Sequence, residues 1–245
     1  MPPEKEECFM KKFAAMLLAL CLLFVGTCCA EEASVDHSAI RAAYLEAMRD
    51  MLDEQIFPDG STFDESFGKI EENSFAVYDV DLDGKEELIV RFTAAPTAGQ
   101  IETVYSYDAE TDMLNAELYM YPAVTYLDNG MIKEGWSHGS GLAEEGYWPY
   151  NLYQYNAETG VYDLIAEVDM WSKPVETVNY AGETYPDDVD AENAGTVFIV
   201  TYDGKTETIS KSAYEAWLGT VLGDAAEAEI TFLPITDENV SAICA

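Results

Sequence analysis

The chain of 245 residues carries 47 acidic against 12 basic side chains, a formal net charge of −35. A surface so negative repels nucleic-acid phosphates and anionic lipid headgroups and attracts divalent cations, which excludes a nucleic-acid partner. With 49% hydrophobic and 12% aromatic residues the chain can build a core, so a disordered acidic tail is excluded as well.

Lys11-Lys12 followed by the apolar run Phe13 to Val25 has the charged start and short apolar centre of a secretory signal. Met10 stands just before the two lysines and is the expected translation start, since Glu4, Glu6 and Glu7 lie upstream of it. Val25-Gly26-Thr27-Cys28 then resembles a bacterial lipobox, which implies diacylation of Cys28 and a membrane partner reached through the lipid. Ordinary cleavage after Ala30 is the alternative. Either processing exports the protein, to the extracellular face of the cell membrane or into the medium. Residues 1–30 are read as the signal and lipobox region and 31–245 as a single β-rich domain. Removing 1–30 takes away three acidic and three basic side chains, so the whole excess of charge belongs to the exported part. If Cys28 is lipidated, Cys29 and Cys244 remain and can pair. No disulfide framework or thiolate zinc site can be built from this set.

Residues 35–56 read as a helix, with Ser38 as cap and Ile40, Tyr44, Met48 and Met51 at helical spacing. Phe57-Pro58-Asp59-Gly60 ends it. Next comes the stretch with the look of a site, Asp79-Val80-Asp81-Leu82-Asp83-Gly84-Lys85-Glu86-Glu87. Alternate aspartates, a glycine at the sixth position and a glutamate at the ninth can converge oxygen ligands on a hard cation such as Ca²⁺. An EF-hand would close with glutamate at position twelve, but that position is Val90, and the flanks 74–78 and 88–92 favour strands over helices. The residues resemble the calcium-binding hairpin of FG-GAP and integrin-type repeats. The resemblance implies side-chain ligands at Asp79, Asp81 and Asp83, a backbone carbonyl from Lys85, and a closing carboxylate at Glu87. Leu82 stands where that family often has glycine. The bland alternative is a solvated acidic turn.

From the hairpin to about residue 200 the chain alternates apolar and polar residues between turn signals, the pattern of antiparallel sheet. Residues 104–112 (Val-Tyr-Ser-Tyr-Asp-Ala-Glu-Thr-Asp) are echoed 48 positions on by 152–160 (Leu-Tyr-Gln-Tyr-Asn-Ala-Glu-Thr-Gly), each a strand entering a short turn. Two copies are too few to close a propeller. Asn129-Gly130 and Asp203-Gly204 signal further hairpins. Ser210 caps a short helix that stops near Gly223, residues 230–235 read as a final strand, and a last helical turn starts at Thr236. The expected fold is α+β: mainly an antiparallel β meander of propeller-blade-like hairpins, with an N-terminal and a short C-terminal helix. The layout resembles a group of exported Gram-positive lipoproteins of unknown function, a resemblance that implies no activity.

Trp136, Tyr147, Trp148, Tyr150, Tyr153, Tyr155 and Trp171 cluster in sequence. Exposed rings there can stack on a glycan or contact a surface protein; the alternative is packing within the sheet. Among them Trp136, His138, Trp148 and Tyr150 are the binding candidates, because Gly135, Gly139 and Gly141 open the loop around the first two. No nucleophile elbow or histidine metal cluster is present, and the second acidic stretch, Tyr185 to Asn193, reads as a solvated loop, with a low-affinity cation site as the alternative. The leading expectation is a non-catalytic binding, adhesion or envelope module with one structural calcium. The rival is a carboxylate-dependent hydrolase of cell-wall or dietary glycan.

Overall fold

The computed structural model describes residues 36–245. The signal-like run, the Met10 start, the Cys28 lipidation site and Cys29 lie outside the described residues; Cys244 is exposed and unbridged. The described chain divides into two compact units, one built from 36–137, 150–165 and 226–245, the other from 138–149 and 166–225. Among the described residues eleven strands form two open, antiparallel sheets with helices toward either end, the α+β meander expected from the sequence.

In the larger unit helix α1 (His37–Glu54) begins at Asp36, two residues ahead of the expected cap. The Asp36 carboxylate accepts from the N–H groups of Ser38 and Ala39 and also from the Ser38 hydroxyl, at 2.6 Å. A carboxylate offers only acceptors to the orphan N–H groups of a helix start, and Ser38 is recruited as its donor. Gln55 ends the helix in the left-handed region at φ 61°.

Beneath α1 lies a five-stranded sheet of β1 (Ser74–Tyr78), β2 (Glu87–Phe92), β3 (Ile101–Asp108), β4 (Met113–Met120) and β11 (Leu233–Pro234), in the order β11-β1-β2-β3-β4. One face packs on Ile40, Tyr44, Met48 and Met51 of α1 and on Val240 and Ile243 near the C-terminus. The other face buries Ala76, Ile89, Val104, Leu118 and Met120 against Tyr126, Ile132 and Tyr162. Covering both faces explains why β2 is an almost unbroken apolar run rather than an alternating one. Tyr126 belongs to β5 (Val124–Tyr126), which pairs with β6 (Met131–Gly135), itself paired with β7 (Tyr150–Asn156). Tyr162 is in β8 (Val161–Ser172), a strand whose first residues belong to this unit and whose later ones belong to the smaller.

The sequence echo is structural. Asp108 and Asn156 each accept from the N–H two residues on, Glu110 and Glu158, at 2.8 and 2.9 Å. Each backbone carbonyl then accepts from the residue four on, Asp112 and Gly160, both at 2.8 Å. The same Asx turn thus joins β3 to β4 and β7 to β8. The expected final strand at 230–235 is the exception, reduced to Leu233–Pro234 against β1. Pro234 has no N–H to continue the ladder, and a proline is tolerated only on such an edge.

In the smaller unit the later part of β8 pairs with β9 (Thr196–Tyr202), and β9 with β10 (Lys205–Ser210). Asp203 and Gly204, at φ 51° and 68°, make the two-residue turn between them. Ser210 caps α2 (Lys211–Leu222) by accepting from Ala213. Tyr214 stacks on Phe198 at 3.7 Å between ring centres. Thr236 in the larger unit caps α3 (Asp237–Ser241) in the same way. No helix among the described residues is long and apolar enough to cross a membrane.

Candidate metal centre

The link from β1 to β2 is built from side chains that hold their own backbone. Asp81 accepts from the Asp83 N–H at 2.9 Å, Asp83 from the Lys85 N–H at 2.7 Å, and Asp79 from the Gly84 N–H at 3.1 Å. These short-range bonds are what aspartate supplies readily, and they curl residues 79–85 into a compact loop. Gly84 lies at φ 89°, and Leu82 is forced to φ 65°, the left-handed region that a leucine enters at a cost. Glu87 folds back from the start of β2, so that its Oε2 accepts from the Val80 N–H at 2.6 Å.

The outcome is a convergence of carboxylate oxygens from Asp79, Asp81 and Glu87, all within 4.8 Å of one another. Asp83 stands beside this group and pairs with the Lys85 ammonium at 2.8 Å. Of the five residues expected at the site, three side chains are therefore brought together, and Asp83 and Lys85 form an ion pair at its edge. The donors are all oxygen, the chemistry of a hard cation. One of them, Asp79 Oδ1, is buried without a hydrogen-bond partner among the described residues, which fits a ligand atom.

Two further elements hold the loop. Arg41 of α1 grips Glu86 through both carboxylate oxygens, at 2.8 and 2.6 Å, and the Tyr44 hydroxyl donates to the Glu86 carbonyl at 2.6 Å. The helix thereby fixes the residue just before Glu87. From the other side comes the β5–β6 turn, where Gly130 sits at φ 79° and a Cβ would lie 3.2 Å from the Asp81 carbonyl oxygen. That separation is tighter than ordinary packing, so a side chain here would push the Asp81 carbonyl aside by a few tenths of an ångström as well as strain the backbone angle.

The electrostatics follow from burial. Glu87 is 2% exposed, and loss of water pushes its carboxyl up to about 9, with Asp81, Glu117 and Asp83 adding repulsion. Glu117 in β4, 6% exposed, is raised to about 7 mainly by burial, again with Asp81 and Asp83 contributing. Asp81 is raised too, first by burial and then by the charges of Asp83 and Asp79. Without a cation this neighbourhood holds carboxyls poorly disposed to ionise; a cation would reverse that preference. Glu117 was not among the residues expected here. Leu114, Ala116, Leu118 and Met120 alternate around it without a break, so no sequence signal marks it.

The aromatic candidates divide between the two units. In the larger, Trp136 donates from its indole to Asn151 at 2.8 Å, and Tyr150 is buried under the Lys133 ammonium, 4.1 Å from the ring centre. In the smaller, His138 is exposed and Trp148 is 57% exposed. Trp171 is buried and packs on Tyr185, as the sheet-packing alternative expects. In the acidic stretch 185–193 the Asp190 carboxylate is buried, accepting from Ala194 N, Gly195 N and the Tyr185 hydroxyl; it is a fully engaged loop tie.

Comparison with protein-family models, with curated proteins and with solved structures finds no match for this chain.

Proposed function

We propose that the chain is an exported surface protein, lipid-anchored through Cys28, in which residues 79–87 bind one Ca²⁺ that holds the β1–β2 link closed. Its role is that of a non-catalytic binding or envelope module. The observation carrying the calcium reading is the convergence of Asp79, Asp81 and Glu87 in an all-oxygen set containing a buried, unpartnered oxygen. The ion would neutralise carboxylates whose mutual repulsion opposes the loop. The exposed indole of Trp148 supports the binding role, since a large rigid ring left in water is the kind of group that contacts a glycan or a surface protein.

Calcium titration with parallel melting curves tests this. Extracellular sites of this kind have dissociation constants of about 10⁻⁴–10⁻³ M. At 10 mM Ca²⁺ such a site adds about 1.4–2.7 kcal/mol, a rise of several °C in melting temperature over a chelator control. Asp81→Ala removes the rise. Identical melting of the unaltered protein in calcium and in chelator would reduce 79–87 to an acidic turn.

A further inference from the structure

The hairpin is not the only source of uncommitted buried oxygens in its neighbourhood. Glu117 Oε2 and the Tyr162 hydroxyl are both buried without a hydrogen-bond partner among the described residues, in side chains each 6% exposed. Buried polar groups are almost always paired, so two together with Asp79 Oδ1 call for a common cause.

Register places them around the hairpin. Tyr105 of β3 lies opposite Leu88 on one side and Ala116 on the other, while Val104 lies opposite Leu118. Glu117 is thus the extra residue of a β-bulge. Ala116 packs with the core under α1, whereas Leu118 packs on the opposite face, so the bulge turns the strand over at Glu117. Bulges re-aim side chains in this manner. One strand, β3, separates Glu117 from Glu87, a backbone separation of roughly 10 Å that two glutamate side chains can span. Its charge is felt by Glu87, and it in turn feels Asp81, Asp83 and Lys85. Tyr162, from the start of β8, is coupled to the same Asp81, Glu117 and Glu87.

We propose that the hairpin cation is also held from outside the hairpin: a water bound to it donates one hydrogen to Glu117 Oε2 on the β4 bulge and the other to the Tyr162 hydroxyl. This rests on the reading of 79–87 as a calcium site. Calcium takes six to eight oxygens and often completes its shell with water. Three converging side chains leave room for such a molecule, and a metal-bound water has two hydrogens to give. Both orphan acceptors are then satisfied, and one ion ties together the β1–β2 link, the β4 bulge and the beginning of β8.

The test is calorimetric titration of the full chain with Ca²⁺ alone, comparing the unaltered protein with Glu117→Gln, Tyr162→Phe and Asp81→Ala, each also melted in chelator. Loss of a group that orients a metal's shell weakens binding by about 10–100-fold. Glu117→Gln is therefore expected to weaken calcium by about tenfold while still binding one ion per chain, and Tyr162→Phe to weaken it in the same direction. Because Glu117→Gln removes a buried carboxyl of similar shape, its melting temperature in chelator should not fall. Parental affinity in both variants, with binding abolished in Asp81→Ala, would leave the ion to the hairpin alone and overturn the proposal. A fall in chelator stability equal to the loss of calcium gain would make Glu117 a structural residue and overturn it too. Absence of calcium binding in the unaltered protein would remove the underlying site as well.

Discussion

Leu82 shows what the loop demands of single residues. Its φ of 65° is a conformation that L side chains occupy at about 1–2 kcal/mol, and its side chain is 51% exposed, so little packing depends on it. The leucine stands where the loop geometry asks for glycine, and the neighbouring Gly84 shows the unstrained solution. Leu82→Gly relieves the strain but adds freedom to the unfolded chain, worth about 0.5–1 kcal/mol in the other direction. The expected balance is a gain of about 0–1.5 kcal/mol in urea unfolding measured in chelator. A loss instead would mean that the leucine side chain contributes more to the loop than its exposure suggests.

Among the elements, α1 acts on the site through Glu86, which both Arg41 and Tyr44 hold. Tyr44 is fully buried and its hydroxyl donates to the Glu86 carbonyl, one residue before the Glu87 ligand. Tyr44→Phe keeps the ring and leaves that carbonyl without its donor, a loss of about 1–3 kcal/mol. Chemical unfolding should show that loss, and calcium titration a weaker site, because Glu87 is no longer held at its neighbour. Unchanged affinity beside reduced stability would separate the helix from the site. How much of this was legible beforehand depends on the range of the forces involved. The helix, the two-residue Asp203-Gly204 turn, the paired Asx turns at 108 and 156 and the strands flanking 79–87 all follow from local propensity and spacing, and all are present in the structure. The same spacing points to Asp79, Asp81, Asp83, Lys85 and Glu87 as one ligand set, of which the structure converges the carboxylates of Asp79, Asp81 and Glu87 and pairs Asp83 with Lys85. What escaped the sequence is what tertiary contact decides. The β4 bulge hides inside an uninterrupted apolar alternation, the grip of Arg41 and Tyr44 on Glu86 spans more than forty residues, and Gly130 appeared only as a turn former although it also lies against Asp81.

Across the whole molecule, buried carboxylates are common, and most have dedicated partners. Glu102 is met by Arg91 and the Tyr126 hydroxyl, and Glu134 by Tyr121 N, Asn151 and Tyr153. Glu87 and Glu117 are held far less well, and so they should dominate how stability changes above the ordinary carboxylate range. For both, burial first and neighbouring negative charge second raise the folded value, to about 9 and about 7. The folded chain therefore keeps protons that the unfolded chain has already released. Their contribution to stability is complete below the unfolded value of about 4.5 and is lost as pH rises toward the folded values. In chelator the melting temperature should fall between about pH 5 and 9, most steeply below about pH 7, while both groups still hold their protons in the folded state. Glu86, which Arg41 holds below the usual range, acts oppositely and only at lower pH, so it does not mask the effect. Calcium inverts the preference, because it binds the ionised forms: at pH 7 its uptake should release protons, and its affinity should strengthen as pH rises toward 9. Titrations in two buffers of different ionisation heat would measure the release. Glu87→Gln should flatten the chelator curve; an unaltered slope in that variant would place the source of the pH dependence elsewhere in the chain.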